Sequence, residues 1–422
     1  MARTTTVTGG RAATTGIIPG KWALSVGRPP VPAPAGFRWT PLSSVARLES
    51  GHTPSRQHPE YWGGDVPWIG IKDATRNHGR TIENTLQTIT QAGLNNSSAR
   101  LLPAGTVCLS RTASVGYVVT MGVPMATSQD FINWVCGPEI SSRYLHYILL
   151  MEQESVRRFA HGTTHQTVYF PEAKAFHVCI PDRAGQERVV AVLGALDDKI
   201  AVNEGIAATA DELSGEIFRY AMTTSPDRFA ECPLSETAQF INGRAFTKDA
   251  TGTGRMVIRI AEINSGPGNS TVYNEIEVSD DHLARPGDVL FAWSGSLTVA
   301  RWFRPEAIIN QHIFKCVPKH GNPHWLVSQL VHRKIDDFRA IAADKATTMG
   351  HIQRRHLDEP VSVPKPDELT ALDSRIAPLW ERALLAERES LSLAALRDTL
   401  LPQLMSGRLR VKDAEKIVED AT

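Results

Sequence analysis

The 422-residue chain has only five cysteines, Cys108, Cys136, Cys179, Cys232 and Cys316. They stand singly, with no C-x-x-C pair and an odd total, so neither a disulfide framework nor a zinc ribbon is written here. Such usage fits a reduced, cytoplasmic protein. No run approaches 18 consecutive apolar residues, so no membrane partner is expected. Charge of either sign is not in excess: 45 basic residues balance 45 acidic ones. That balance does not advertise binding of nucleic acid by bulk charge. G-x-x-x-x-G-K-[ST], H-E-x-x-H and G-x-S-x-G are all missing, which removes phosphate-loop, zincin and hydrolase-elbow chemistry. Gly252-Thr253-Gly254-Arg255 is too short for a cofactor loop and reads as a turn. Among 14 histidines, His161/His165 and His320/His324 stand four apart, but neither pair has a third ligand nearby. No metal site and no cofactor are expected in this chain. The first 35 residues hold four basic residues, no acidic one and no apolar secretory core. They read as a flexible N-terminal tail.

Against these absences stands a duplication. LSSVARLESG at Leu42–Gly51 returns as LSETAQFING at Leu234–Gly243. PAGTVCLSRTAS at Pro103–Ser114 returns as PGDVLFAWSGS at Pro286–Ser296, and TSQDFINWV at Thr127–Val135 as INQHIFKCV at Ile309–Val317. LGALDDKIA at Leu193–Ala201 returns as LTALDSRIA at Leu369–Ala377. The offset drifts from 192 residues (42 to 234) to 176 (193 to 369). That period is too long for a solenoid and suits a domain with an attached helix.

Within each repeat, short apolar runs alternate with polar turns and amphipathic stretches, the mark of a mixed α/β (α+β) domain. Ser43–Gly51 reads as a short helix entering a turn, and Tyr61–Asp65 as a further turn before a strand at Val66–Ile71. Val107–Leu109 and Tyr117–Thr120 read as strands flanking the polar connection Ser110–Ser114, and Ser141–Arg158 as one helix. The second half follows with strands at Met256–Ile260, Asp288–Trp293 and Ile313–Val317, a helix over Pro323–Ile341 and a closing strand at Pro360–Val363.

After each domain the apolar period lengthens. Leu193, Leu196, Ile200, Asn203, Ala207, Ala210, Leu213 and Ile217 are spaced by threes and fours, as are Leu369, Leu372, Ile376, Leu379, Ala383, Ala386, Ser390 and Leu393. This is coiled-coil spacing, with Asn203 as its polar exception. Each helix spans roughly 54 Å at 1.5 Å per residue. Packing of each helix on its own domain is the alternative to mutual packing, and Pro378 is a candidate kink. The matched Asp197 and Asp373 are expected to face solvent or set helix register. The expected division is a tail at 1–35, domains at 36–183 and 226–365, helical spacers at 184–225 and 366–412, and a tail at 413–422. The domains are faintly basic, 13 against 11 and 16 against 14 over 36–183 and 233–366. The helices are acidic, 3 basic against 7 over 184–222 and 8 against 11 over 367–422.

At the turns the chain resembles a known family, the specificity subunits of type I restriction–modification enzymes. The resemblance rests on GHTPSRQHPEYWGGDVPWIGIKD (Gly51–Asp73), LPAGTVCLSRTASVGYV, ATSQDF and HGTTHQTVYFPEAKAFHVCIP (His161–Pro181). It continues with GDVLFAWSGS, INQHIFKCVP, TTMGHIQRRHL and LLPQLMSGRLRV, and covers roughly residues 37–412. It implies two target recognition domains, each reading half of a split sequence in double-stranded DNA. It implies an antiparallel coiled coil that sets the gap and docks two modification subunits. Those subunits hold S-adenosylmethionine and methylate adenine by flipping it from the duplex, and restriction subunits use ATP and Mg. The specificity subunit is itself non-catalytic. A helix of about 54 Å matches roughly 16 base pairs at 3.4 Å each. The domains differ over most of their length, WIGIKDA against VIRIAEI, so the target is expected to be asymmetric. A duplicated protein-binding scaffold without DNA contact is the alternative; an enzyme acting alone would need a polar cluster repeated in both halves, and none is visible.

Several side chains are candidates for DNA contact. Arg111, in the connection between strands, suits guanine O6 and N7 or a phosphate, or is a surface charge. Gln129 and Gln311 hold matched positions; glutamine pairs with adenine, but its repetition between unlike readers favours a structural role. Thr53, Ser55 and Arg56 lie in the first loop, Arg244 and Lys248 in its counterpart. Ser294 and Ser296 lie in the turn matching Arg111, with Arg301 just beyond. His165 and His351 occupy matched turns and either meet phosphate or cap and pack. Lys72 follows a strand, and Arg354 and Arg355 form the densest positive spot, suited to phosphate. Trp62, Trp68 and Trp293 are expected to brace loops or fill cores, with base stacking as the alternative.

Overall fold

The computed structural model describes residues 16–162, 166–344 and 352–421. Fully buried four-residue runs such as Val107–Ser110 and Val289–Ala292 become central strands, because both faces must be covered. Val107–Ser110 lies antiparallel between Phe131–Cys136 and Val118–Met121, with Ala46–Ser50 outside the former. Val289–Ala292 lies in the same way between Ile313–Pro318 and Thr298–Arg301, with Ala238–Asn242 outermost. Each sequence repeat thus occupies the same place in the same strand order. Arg80–Ile82 extends the first sheet as a parallel edge.

A smaller sheet repeats too. Trp62–Ile69 pairs parallel with Ala126–Thr127 and antiparallel with Gln87–Ile89; Arg255–Ile258 pairs parallel with Ala307–Ile309 and antiparallel with Val272–Asn274. The expected turn at Tyr61–Asp65 is therefore mostly strand, with a register shift between Trp62 and Val66 that absorbs the two glycines. Ile71 does not end this strand but opens a helix, Ile71–Arg76. Its partner is Ile260–Ser265, and in both the third residue, Asp73 or Glu262, accepts the N–H of the residue before the helix. WIGIKDA and VIRIAEI, unlike as strings, make the same strand-to-helix corner.

Two expectations are corrected. Ser141–Arg158 is two helices, Ser142–Met151 and Gln153–Phe159, interrupted at Glu152. The fully buried Glu152 carboxylate accepts the backbone N–H groups of Lys21 (2.9 Å), Trp22 (2.6 Å), Ala23 (2.6 Å) and Leu24 (3.2 Å). That anchor explains why residues 16–35 are not a loose tail: Leu24–Val26 is buried and pairs with Phe176–Val178, on the opposite edge from Phe37–Pro41. In the second half the corresponding sheet has two strands, Phe229–Pro233 and Pro360–Pro364.

The two long helices run over Arg183–Thr224 and Pro366–Met405, the latter unbroken through Pro378. Asn203 Nδ2 donates to Glu389 (2.9 Å), Ala207 and Ala210 pack on Ala383, and Phe218 shares a cluster with Leu372 and Ile376. Rising numbers on one helix meet falling numbers on the other, so the pair is an antiparallel coiled coil. Leu213, expected in the seam, is 45% exposed, and Ser214 takes its place at 5%. Ser214 keeps the three–four rhythm after Ala207 and Ala210, which Leu213 would break. The chain divides into two compact units, one up to Asp197 together with the residues from Ala395 on, the other Asp198–Ala394. Each long helix contributes to both.

Candidate nucleic-acid interface

In the first unit three segments meet at one end of the sheet. Gly51 permits the meeting: a Cβ there would lie 2.1 Å from both the Ser128 carbonyl and the Thr127 hydroxyl. The chain then runs beside Thr127, with the His52 N–H bonded to the Thr127 carbonyl at 2.9 Å. Thr53 donates its hydroxyl to the exposed Gln129 side chain, whose backbone carbonyl accepts Arg111 Nε at 3.0 Å. Thr53, Arg111 and Gln129, far apart in sequence, are thus one cluster. Arg111 also lies over Phe170 at 4.9 Å and donates to the Val168 carbonyl at 3.4 Å. Burial pulls its guanidinium below the usual range, against the opposing charge of Asp130. Arginine remains charged, so Arg111 is a half-buried cation spent largely on holding loops.

Arg56 is the outward cation of this cluster. Its guanidinium stacks 3.5 Å over Trp62 and donates to Gln87 at 2.8 Å. Trp62 meets Trp68 edge-on at 5.1 Å, and their indoles donate to the Ser55 and His52 carbonyls. Both tryptophans therefore brace the loop, and Arg56 covers the Trp62 face that base stacking would use. Ser55 is exposed beside them, and Lys72 is exposed in the first turn of Ile71–Arg76.

The second unit repeats the frame with other side chains. A Cβ on Gly243 would lie 2.1 Å from the Asn310 carbonyl, and Arg244 runs parallel to Asn310, its carbonyl accepting the Gln311 N–H at 2.8 Å. Asn310 and Asn274 bond the backbone of Phe246, which shapes the loop carrying the exposed Arg244 and Lys248. Trp293 takes the position of Arg111: the N–H of each bonds the carbonyl of a matched residue, His312 or Asp130. The Trp293 indole donates to Asn242 at 2.8 Å. Ala113 and Gly295 mark the matched turn tips, both with left-handed φ, 58° and 64°. Ser294 is buried below the tip and Ser296 exposed on it. The Ile352 N–H reaches the Trp293 carbonyl (3.2 Å), which brings the exposed Arg354 and Arg355 to this end. Arg244, Lys248, Arg354 and Arg355 make the second surface the more cationic.

A family model for the type I restriction modification DNA specificity domain matches residues 35–211. The MjaIX specificity subunit of Methanocaldococcus jannaschii, a type I restriction enzyme subunit, is 23% identical over 413 residues, covering 88% of this chain and 93% of its own. The HindI specificity subunit of Haemophilus influenzae is 31% identical over 127 residues, 30% of this chain and 27% of that one. Residues 35–211 thus carry a type I DNA specificity domain, and the chain as a whole is similar to type I specificity subunits. The solved S subunit from M. genitalium shares its fold, with a TM-score of 0.54 at 15% identity over 89% of this chain and 98% of that one.

Not every candidate side chain reaches the loop ends. Arg301 is a correction: its side chain is 3% exposed and points away from solvent into the long helices. It forms a bidentate pair with Asp211 (3.0 and 3.1 Å), donates Nε to Glu387 (2.9 Å) and lies 4.5 Å over Trp380. It has no surface left for DNA. His165 and His351 lie outside the described residues. For Asp197 and Asp373 the solvent-facing reading is corrected. Asp197 accepts Tyr147 Oη (2.5 Å) and Arg397 (2.8 Å), and Asp373 accepts Trp325 Nε1 (2.7 Å). Each fastens a domain helix to a long helix, a role visible beforehand only as their repetition. Gln87 and Asn242, which hold Arg56 and Trp293, carried no sequence signal. Among the described residues no group of three or more His, Cys, Asp or Glu could hold a metal ion, and no helix is long and apolar enough to cross a membrane.

Proposed function

We propose that this chain is the non-catalytic DNA-reading subunit of a type I restriction–modification complex, each unit reading one half of a split double-stranded target. One observation carries the reading: the same loop-bearing frame is built twice with different groups at matched positions. His52 answers to Arg244, Arg111 to Trp293 and Ser128 to Asn310, while only Gln129 and Gln311 coincide among these. A scaffold for one kind of protein partner would have reason to repeat its surface; two readers of an asymmetric sequence must differ. The outward groups Thr53, Ser55, Arg56, Gln129, Arg244, Lys248, Ser296 and Gln311 offer donors and acceptors to base edges, while Lys72, Arg354 and Arg355 suit phosphates. The paired helices act as the spacer and dock two modification subunits, which bring S-adenosylmethionine; restriction subunits bring ATP and Mg.

Reconstitution with the modification subunits and sequencing of methylated DNA tests this. A split adenine-methylation motif is expected, and exchange of either recognition domain changes one half of it. Unchanged target choice after both domains are replaced refutes the reading.

A further inference from the structure

Arg301 is an unusual residue for its place. It ends Thr298–Arg301, the strand that leaves the Ser294–Ser296 turn, and pairs in register with Val289. Its guanidinium is buried and reaches two carboxylates on different helices, Asp211 of Arg183–Thr224 and Glu387 of Pro366–Met405, with Trp380 as its floor. Burial drives the Glu387 carboxyl above its usual value, against the pull of Arg301. Such a group adds little stability over an apolar one of equal size, but it accepts one geometry only. The surrounding contacts of Phe218, Leu372 and Ile376 are non-directional, and the Trp325–Asp373 bond fastens the domain to Pro366–Met405 alone, which leaves it room to shift against Arg183–Thr224. A planar fork held by two helices removes that freedom.

We propose that Arg301 is a positioning residue: it locks the second recognition domain to both helices and so restricts the gap allowed between the two half-targets. The inference rests on the DNA-reading function above. The variant pair is Arg301→Met with Glu387→Gln, which leaves no uncompensated buried charge, and Arg301→Lys, which keeps the charge but not the fork. Two readouts separate the claims. Spin labels at Ser296→Cys and at Thr209→Cys, an exposed position on the first long helix, report the seating of the domain by electron–electron distance, with Cys136 and Cys232 replaced by serine. The parent distribution is expected to be narrow and that of the Met/Gln variant broad, with Lys between. Reconstituted complexes then methylate targets whose gap varies one base pair at a time. The parent is expected to favour one gap, and the variant to accept neighbouring gaps within about tenfold of it (about 1.4 kcal/mol) with the same half-sequences. An unchanged distance distribution overturns the lock, and broadening without relaxed gaps overturns its role in spacing. If the parent methylates no split target while the variant broadens, the lock stands and the DNA-reading function falls.

Discussion

Replacing Asp373 by alanine separates two readings of the repeated LxALDxxIA segment. If its aspartate faced solvent, the change would shift stability by no more than about 0.5 kcal/mol. In the structure Asp373 accepts the indole N–H of Trp325, which is 2% exposed, at 2.7 Å. Removing the acceptor strands a buried donor, at a cost of roughly 1–3 kcal/mol. Alanine returns up to about 0.7 kcal/mol through its better helix propensity. The net loss is therefore about 1–2 kcal/mol, roughly a five- to thirtyfold rise in local opening. Native-state hydrogen exchange of amides in His324–Asp344 reads that opening without requiring the whole chain to unfold in one step. Asp373→Asn keeps an acceptor and should lose less than half as much. In a Trp325→Phe background, which has no donor, Asp373→Ala should cost nothing beyond about 0.5 kcal/mol. Equal losses with and without the Trp325→Phe change would refute the anchor and leave only helix propensity.

Glu152→Ala removes the acceptor of four backbone N–H groups and should cost roughly 3 kcal/mol, seen as lost exchange protection at Leu24–Val26; Glu152→Gln should cost less. Burial lowers the His146 imidazole to about 4, while its ring nitrogen bonds Thr120 at 2.8 Å. The unfolded chain takes up that proton near pH 6.5 and the folded one does not, so stability is complete above 6.5 and falls as pH drops towards 4, by up to roughly 3 kcal/mol. His146→Gln should flatten that part of a denaturation-against-pH profile, and an unchanged slope would show that other groups dominate. Arg354→Ala with Arg355→Ala should reduce the salt dependence of DNA binding by the assembled complex by about 2 in log K against log salt, with sequence preference retained. Altered base preference would instead place these arginines on base edges.

The frame was legible because duplication supplies an internal control. Gly51 and Gly243, Ala113 and Gly295, and Gln129 and Gln311 recur for reasons of backbone space and turn geometry, and the structure places each pair in equivalent surroundings. What stayed hidden depends on contacts far along the chain. Arg301, a few residues after a turn, looks like any surface arginine; its partners Asp211 and Glu387 are 90 and 86 residues away. Leu213 satisfies the apolar count and Ser214 the geometry, because a seam follows rotation about the helix rather than hydropathy alone. The N-terminal strand was missed for a related reason. Its composition is that of a linker, and its order comes from one buried carboxylate more than a hundred residues on, the same residue that breaks the helix read as continuous.

The matched position of Arg111 and Trp293 shows how such a frame can change its reading without changing its shape. Both residues give the same backbone N–H to the same neighbouring segment, so the turn's path does not depend on the side chain. The side chains reach their own supports, Gln129 and Val168 for the arginine, Asn242 for the tryptophan. Backbone bonds therefore carry the path of this turn, and the side-chain bonds fasten it to neighbouring loops and set which groups face outward. The division has a consequence for exchange between the units. Arg111→Trp should leave the path of the Arg111–Ser114 turn intact and remove a cation from it, whereas Gly51→Ala, which drives a Cβ to 2.1 Å of the Ser128 carbonyl, should disturb all three loops at once. A methylation motif altered in one half by the first change and abolished by the second would match that order of dependence; the reverse pattern would place the frame's stability in the side chains.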